Sequence, residues 1–156
     1  IEIGFQVGSD VPYCLGAGCA CISGKGEIVE CLDTSLSAWV VLVKPEFGVS
    51  TRTVFPEIDC ETISRVDIAA LKEAVLANDY DQIISHMGNS LEDITIKRKP
   101  FIQKIKDRMI KCGADVALMT GSGPTVFGLC RSEKKADRLV NSMRGFCKEV
   151  YKVRIL

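Results

Sequence analysis

The chain has 156 residues, 47% of them hydrophobic, enough for one substantial core or one core and part of a second. Its 20 basic and 20 acidic residues cancel, so no overall field favours nucleic acid, a membrane surface or a polyanion. No run approaches the roughly 20 apolar residues of a membrane span.

Residues 1–7 read as the end of an element running into a turn at Gly8-Ser9-Asp10-Val11-Pro12. Residues 17–31 suggest two short strands around the turn Ser23-Gly24-Lys25-Gly26-Glu27. The unbroken apolar run from Trp39 to Lys44, stopped by Pro45, predicts a strand buried on both faces or central in a sheet. Ser50 or Thr51 offers an N-cap to a short helix over Arg52 to Phe55. Asp67 caps a longer helix with Ile68, Leu71, Val75 and Leu76 at helical spacing. Residues 78–87 predict another short helix, and Asn89-Ser90-Leu91-Glu92 opens one more. Pro100 starts a helix with Ile102, Ile105, Met109 and Ile110 on one face and Gly113 as its stop. Two strands then flank a glycine turn at 121–123. An amphipathic helix follows from Ser132 through Ala136, Leu139, Val140 and Met143, and residues 149–155 close with a strand.

From residue 37 onward the order is strand, several helices, strand, strand, helix, strand. That order predicts the α+β class: a ferredoxin-like α/β sandwich with extra helices between its first two strands. Residues 1–36 read as the remnant of a separate, preceding unit, and residues 37–156 as the second domain. The first motif falls within ten residues of Ile1, so the chain reads as a fragment whose N-terminal part is missing.

The eight cysteines show no CxxC pair, and most lie in apolar stretches, where a reduced thiol packs as a small hydrophobe. A zinc site needs four ligands, usually in close pairs, and His86 is the only histidine. Free thiols, a reducing cytoplasmic setting and no metal site are the expectation. The basic triplet Lys97-Arg98-Lys99 beside Pro100 reads as a solvated loop, not a nucleic-acid contact.

The segment Met119-Thr120-Gly121-Ser122-Gly123-Pro124-Thr125 carries the most chemistry. Gly121 and Gly123 permit positive φ and let backbone N–H groups approach an anion, with the hydroxyls of Ser122 and Thr125 beside them. A plain hairpin turn and a phosphate cradle both fit it. Small and rigid neighbours hold the Asp10 carboxylate, which suits either a turn former or a group accepting the proton of an attacking hydroxyl. Lys25 between two glycines suits a solvated turn or a point charge for a phosphate. Phe55 suits the core or an aromatic face for a base.

Taken together, GSDVP at 8–12, SGKGE at 23–27, the strand before Pro45, GNSLE at 88–92 and the segment at 119–129 resemble, in order and spacing, one family. It is the 4-diphosphocytidyl-2-C-methyl-D-erythritol kinases of the GHMP kinase superfamily, and the resemblance covers essentially the whole chain. It implies ATP-dependent phosphorylation of the 2-hydroxyl of 4-diphosphocytidyl-2-C-methyl-D-erythritol in non-mevalonate isoprenoid biosynthesis, with Mg²⁺ accompanying ATP. Asp10 matches the family's catalytic aspartate. Gly121, Ser122 and Gly123 match its third motif near the phosphates. Phe55 falls where the family stacks an aromatic on cytosine, with Thr51 as a nearby polar contact and Lys25 at a substrate-side position. The family's glycine-rich ATP loop, catalytic lysine and Tyr-His pair precede GSDVP and are absent from this sequence. The resemblance therefore implies that the 156-residue chain alone has no useful kinase activity and needs the missing N-terminal part as its partner. Another small-molecule GHMP kinase, such as homoserine kinase, and a catalytically dead ligand-binding module are the alternatives.

Overall fold

The computed structural model describes residues 8, 11–14, 18–59 and 61–155. These fall into two compact units: one formed by residues up to 36 together with 68–83, the other by 37–67 and 84 onward.

In the first unit a short helix α1 (Val11–Cys14) opens with the Val11 N–H donating to the Gly8 carbonyl, 3.1 Å. Strands β1 (Cys19–Ser23) and β2 (Ile28–Leu32) form an antiparallel hairpin in the register Cys19↔Leu32 to Ser23↔Ile28. The expected turn joins them, and the Glu27 carboxylate folds back to accept the Lys25 N–H. Helix α3 (Ile68–Leu76) belongs with this hairpin through a Lys72–Glu30 ion pair of 2.6 Å. Its buried residue is Ala74, whereas Ile68 and Leu76 are exposed, so the predicted apolar face is only partly covered. Asn78, at φ +54°, ends α3, and its Oδ1 accepts from Thr34 Oγ1 and Ser35 N, both at 2.8 Å. Helix α4 (Tyr80–His86) starts on Asp79, whose Oδ1 accepts from the N–H groups of Asp81 and Gln82 at 3.1 Å. The sequence pattern had started that helix two residues early, at Asn78, and ended it one residue late, at Met87.

The second unit is built on a four-stranded antiparallel sheet in the order β4-β5-β3-β6, with β3 spanning Ala38–Lys44, β4 Val116–Met119, β5 Val126–Cys130 and β6 Glu149–Ile155. Relabelled from the start of the unit, the order runs 2-3-1-4, which is the ferredoxin-like arrangement predicted. The run at 39–44 is central as expected, between β5 and β6, but it is buried on one face only. Val41 and Val43 have no exposure, whereas Val40 and Leu42 are half-buried and Lys44 is exposed. Strand alternation explains this, because the helices cover one side of the sheet.

Four helices complete the unit: α2 (Thr51–Val54, continued by a tight 3₁₀ turn at Phe55–Glu57), α5 (Glu92–Arg98), α6 (Phe101–Lys111) and α7 (Glu133–Arg144). Helix α6 sends Ile102, Ile105 and Met109 into the core, and α7 sends Ala136, Leu139 and Met143, all without exposure. Ile110, expected on the same face of α6, is instead half exposed: the fourth apolar position rotates past the edge of the contact. Gly128 is where α6 comes closest to β5, since a Cβ there would stand 2.9 Å from Met109 Cε and 3.2 Å from Ala114 Cβ. A larger residue at 128 would push the helix off the sheet.

Seven cysteines are described, and all are free. Burial pushes the Cys130 thiol up to about 11 and raises Cys147 and Cys19 as well, the last also through its neighbour Cys21. A folded state that favours the neutral Cys130 thiol contributes stability that is whole below the ordinary thiol range and is lost as pH climbs toward about 11. At pH 8 a thiol at that value is ionised in about one molecule in a thousand. Brief alkylation at pH 8 is therefore expected to label the exposed Cys14 and Cys31 well before Cys130, as read by peptide mass spectrometry. Early labelling of Cys130 would mean that the core opens readily.

Candidate functional site: the glycine turn and its supports

Strand β4 ends at Met119, and the chain reverses through residues 120–125 into β5. The Thr120 N–H donates to Thr125 O at 2.9 Å and the Gly123 N–H to Thr120 O at 3.0 Å, closing the turn on itself. Gly121 and Gly123 have φ of +56° and +87°, so both lie where a side chain is strained. At Gly121 the space beyond the backbone is open. At Gly123 a Cβ would stand 2.6 Å from Met119 Sδ and 3.4 Å from Thr95 Cγ2. Gly123→Ala is expected to cost about 2 kcal/mol from strain and crowding together, against about 1 kcal/mol for Gly121→Ala from strain alone. Chemical unfolding of the two variants measures this, and equal costs would show that Met119 moves aside freely.

Four residues of α5 and its approach reach toward the segments that carry the predicted site. Asn89 Nδ2 donates to Met119 O at 2.7 Å and to Gly121 O at 2.8 Å, while its Oδ1 accepts from Leu91 N. The Met119 N–H donates to Glu92 Oε1 at 2.7 Å, and the other oxygen of Glu92 is bound by Lys106. The Thr95 hydroxyl donates to Ser122 O at 3.3 Å. Arg98 binds Glu57 through both of its forks, tying α5 to the 3₁₀ turn that follows Phe55. That ion pair pulls the Glu57 carboxyl below its usual range and raises Arg98.

The same turn meets α2. Thr51 Oγ1 and Ser122 Oγ are 3.1 Å apart, and either hydroxyl can donate. Helix α2 starts after Ser50, whose side chain makes no cap bond; its carbonyl accepts from Thr53 N and Oγ1 instead. Phe55, one turn beyond Thr51, is 54% exposed, which leaves its ring available to a ligand. It heads the 3₁₀ turn, where an α-helix had been expected. Among the described residues the N–H groups of Gly121, Ser122 and Thr125 make no hydrogen bond. The donors left at this turn are thus three amides, the Thr125 hydroxyl and whichever of the Thr51 and Ser122 hydroxyls accepts from the other, a set that suits phosphate oxygens.

The structure therefore brings Thr51 to Ser122 within the turn formed by Gly121, Gly123 and Thr125, with Phe55 one helical turn away. Lys25 lies exposed on the β1–β2 turn in the other unit. Asp10 lies outside the described residues. Among the described residues no group of three His, Cys, Asp or Glu side chains is placed to hold a metal ion. Sequence reasoning missed Asn89, Glu92, Thr95 and Lys106. The available signal was polar residues every third position at 89, 92 and 95, which matched an ordinary helix start followed by a solvated face.

Residues 71–149 match the family model described as GHMP kinases C terminal. Over all 156 residues the chain is 76% identical to a protein of Streptococcus mutans provisionally named 4-diphosphocytidyl-2-C-methyl-D-erythritol kinase, and 68% identical to one of Streptococcus uberis named likewise. It spans 55% of the length of each. A crystal structure of 4-(cytidine 5'-diphospho)-2C-methyl-D-erythritol kinase superposes with a TM-score of 0.81 at 25% identity, covering 96% of this chain and 54% of that one. A homoserine kinase from Cytophaga hutchinsonii superposes at 0.72 with 19% identity, covering 94% of this chain and 50% of that one, a likeness of fold alone.

Proposed function

This chain belongs to the family GHMP kinases C terminal, and from that premise we propose that the protein it forms part of phosphorylates the 2-hydroxyl of 4-diphosphocytidyl-2-C-methyl-D-erythritol with ATP. The observation that carries the reading is the glycine turn, with three amides that make no hydrogen bond among the described residues, beside the Thr51–Ser122 hydroxyl pair and the exposed ring of Phe55. High identity to relatives given that name supports the choice of substrate.

In this reading the 2-hydroxyl oxygen forms a bond to the γ-phosphorus, the bond from that phosphorus to the β,γ-bridging oxygen breaks, and ADP leaves. The hydroxyl proton passes to the Asp10 carboxylate. The amides of Gly121, Ser122 and Thr125 donate to phosphate oxygens, where fixed dipoles stabilise charge without reorganising. Phe55 lays its ring against the cytosine, Thr51 adds a polar contact, and Lys25 serves the substrate side as a point charge. Mg²⁺ bound with ATP would supply charge neutralisation on the phosphates; among the described residues no group of three His, Cys, Asp or Glu side chains is placed to hold it.

Residues 1–36 then belong to the domain that precedes this one. Two features of the first unit support that placement. A two-stranded sheet is marginal alone. Ile22 and Ile68 are exposed at a cavity of about 250 Å³ also lined by Cys19, Leu32 and Leu71, an apolar face that an N-terminal part would cover. The 156-residue chain by itself is accordingly inactive, and the whole enzyme works in the cytoplasm.

The test is phosphoryl transfer by the full-length protein from Mg-ATP to the cytidyl substrate, with homoserine and mevalonate as controls. Turnover of the cytidyl substrate alone is expected. A folded protein that turns over homoserine or nothing overturns the reading, and turnover by the 156-residue chain overturns its inactivity.

A further inference from the structure

The motif at 88–92 has no role in the function above, yet three polar side chains at three-residue spacing converge on the glycine turn. Thr95 is fully buried and Glu92 is 8% exposed, positions where apolar residues would be cheaper and where a carboxylate needs the cation of Lys106 beside it. Between them, Asn89, Glu92 and Thr95 bind Met119 O, Gly121 O, Ser122 O and Met119 N. All but one of these bonds engage carbonyls. The amides left over are those of Gly121, Ser122 and Thr125.

A peptide unit is planar, so the oxygen of one residue and the N–H of the next point in opposite directions across it. Holding Gly121 O on Asn89 thus sets the direction of the Ser122 N–H. Holding Ser122 O on Thr95 sets the Gly123 N–H, which closes the turn onto Thr120 O. Glycines at positive φ are free enough for these units to turn over, which would present carbonyl oxygens where amides are needed. An acceptor facing a phosphate repels it.

We propose that Asn89, Glu92 and Thr95 are positioning residues for phosphoryl transfer: Asn89 and Thr95 anchor the turn's carbonyls and Glu92 fixes the Met119 N–H at its entry, so that the Ser122 amide stays turned toward the transferred phosphate. The proposal rests on the kinase reading for its rate effect and on the geometry of the turn for its binding effect, and the two separate experimentally.

The primary variant is Asn89→Asp in the full-length protein. It keeps the acceptor for Leu91 N and sets a carboxylate against two carbonyls. The expected result is a loss of about 100-fold in kcat with the KM for the cytidyl substrate unchanged within about twofold, because a misdirected donor misplaces the reacting group and not the base-binding end. Thr95→Val, which keeps the shape and removes the donor, is expected to lose activity in the same sense, and Thr95→Ser to restore it; this pair decides if Asn89→Asp does not fold. A second readout is the ¹⁵N–¹H shift of the Ser122 amide on titration with tripolyphosphate, moved in the wild type and unmoved in Asn89→Asp and Thr95→Val.

Losses that follow the fall in melting temperature, with KM and kcat affected together and no rescue by Ser, overturn the proposal. So does a wild-type Ser122 amide that ignores tripolyphosphate. Wild-type turnover with variants that match it keeps the kinase and removes the positioning role. A wild type without turnover, whose Ser122 shift is lost in the variants, removes the kinase reading and keeps the positioning role.

Discussion

Asp10→Asn in the full-length protein is expected to lower kcat by about 10³-fold, within the range that a positioned general base contributes. The exchange keeps the size and shape of the side chain and one acceptor oxygen, so contacts that merely orient the substrate survive. In the mechanism proposed above, a carboxamide could not take the proton that the 2-hydroxyl releases as it attacks, and the attacking oxygen would stay protonated and weakly nucleophilic. KM for either substrate should move by less than about threefold, since the carboxylate acts mainly as the transition state forms. Proton uptake at a carboxylate should also give the wild-type enzyme an acid limb in its pH–rate profile that the variant lacks. A variant retaining a tenth or more of the wild-type kcat would show that Asp10 does not serve as the base.

Lys106→Met is expected to destabilise this chain strongly. The Glu92 and Lys106 side chains are 10% and 16% exposed, and Glu92 spends its other oxygen on the Met119 N–H. Methionine fills a similar volume, so packing changes little, but a carboxylate is left buried without its cation. Breaking such a pair from one side costs about 3–5 kcal/mol. The exposed pair Lys148–Glu46, with side chains 85% and 69% exposed, is the control. Lys148→Met should leave stability essentially unchanged, because an exposed pair is screened by solvent. Denaturant unfolding of both variants, followed by the fluorescence of Trp39 on the central strand, compares them directly. Similar losses for the two would mean that water reaches Glu92 freely and that the clamp on the turn is weak.

The stability of that pair matters to the site because α5 joins both halves of it. Asn89, Glu92 and Thr95 serve the glycine turn, and Arg98, three residues further, holds the turn after Phe55 through Glu57. One polar stripe on one short helix thus supports both the donors proposed for the phosphate and the aromatic proposed for the base. A lesion in α5 that leaves the core intact is therefore expected to be felt at both ends of a bound substrate.

Much of this arrangement is written locally. The alternation in 149–155, the helical spacing of Ala136, Leu139, Val140 and Met143, and the stop at Pro45 each specify an element from its own residues, because side-chain period and turn chemistry are short-range properties. The glycine turn and the short helix after Ser50 are legible for the same reason, although the helix passes into a 3₁₀ turn at Phe55. What the local pattern cannot specify is which partner each face meets. Ile110, Ile68 and Leu76 sit at apolar spacing and stay exposed, since the width of a buried stripe depends on the neighbour that covers it. Asn89, Glu92 and Thr95 look like a solvated helix face, and only the sheet order β4-β5-β3-β6 brings the turn at 120–125 onto them. Their contacts span 27 to 32 residues of sequence, and such pairings are chosen by the packing of whole elements, which no short-range periodicity records.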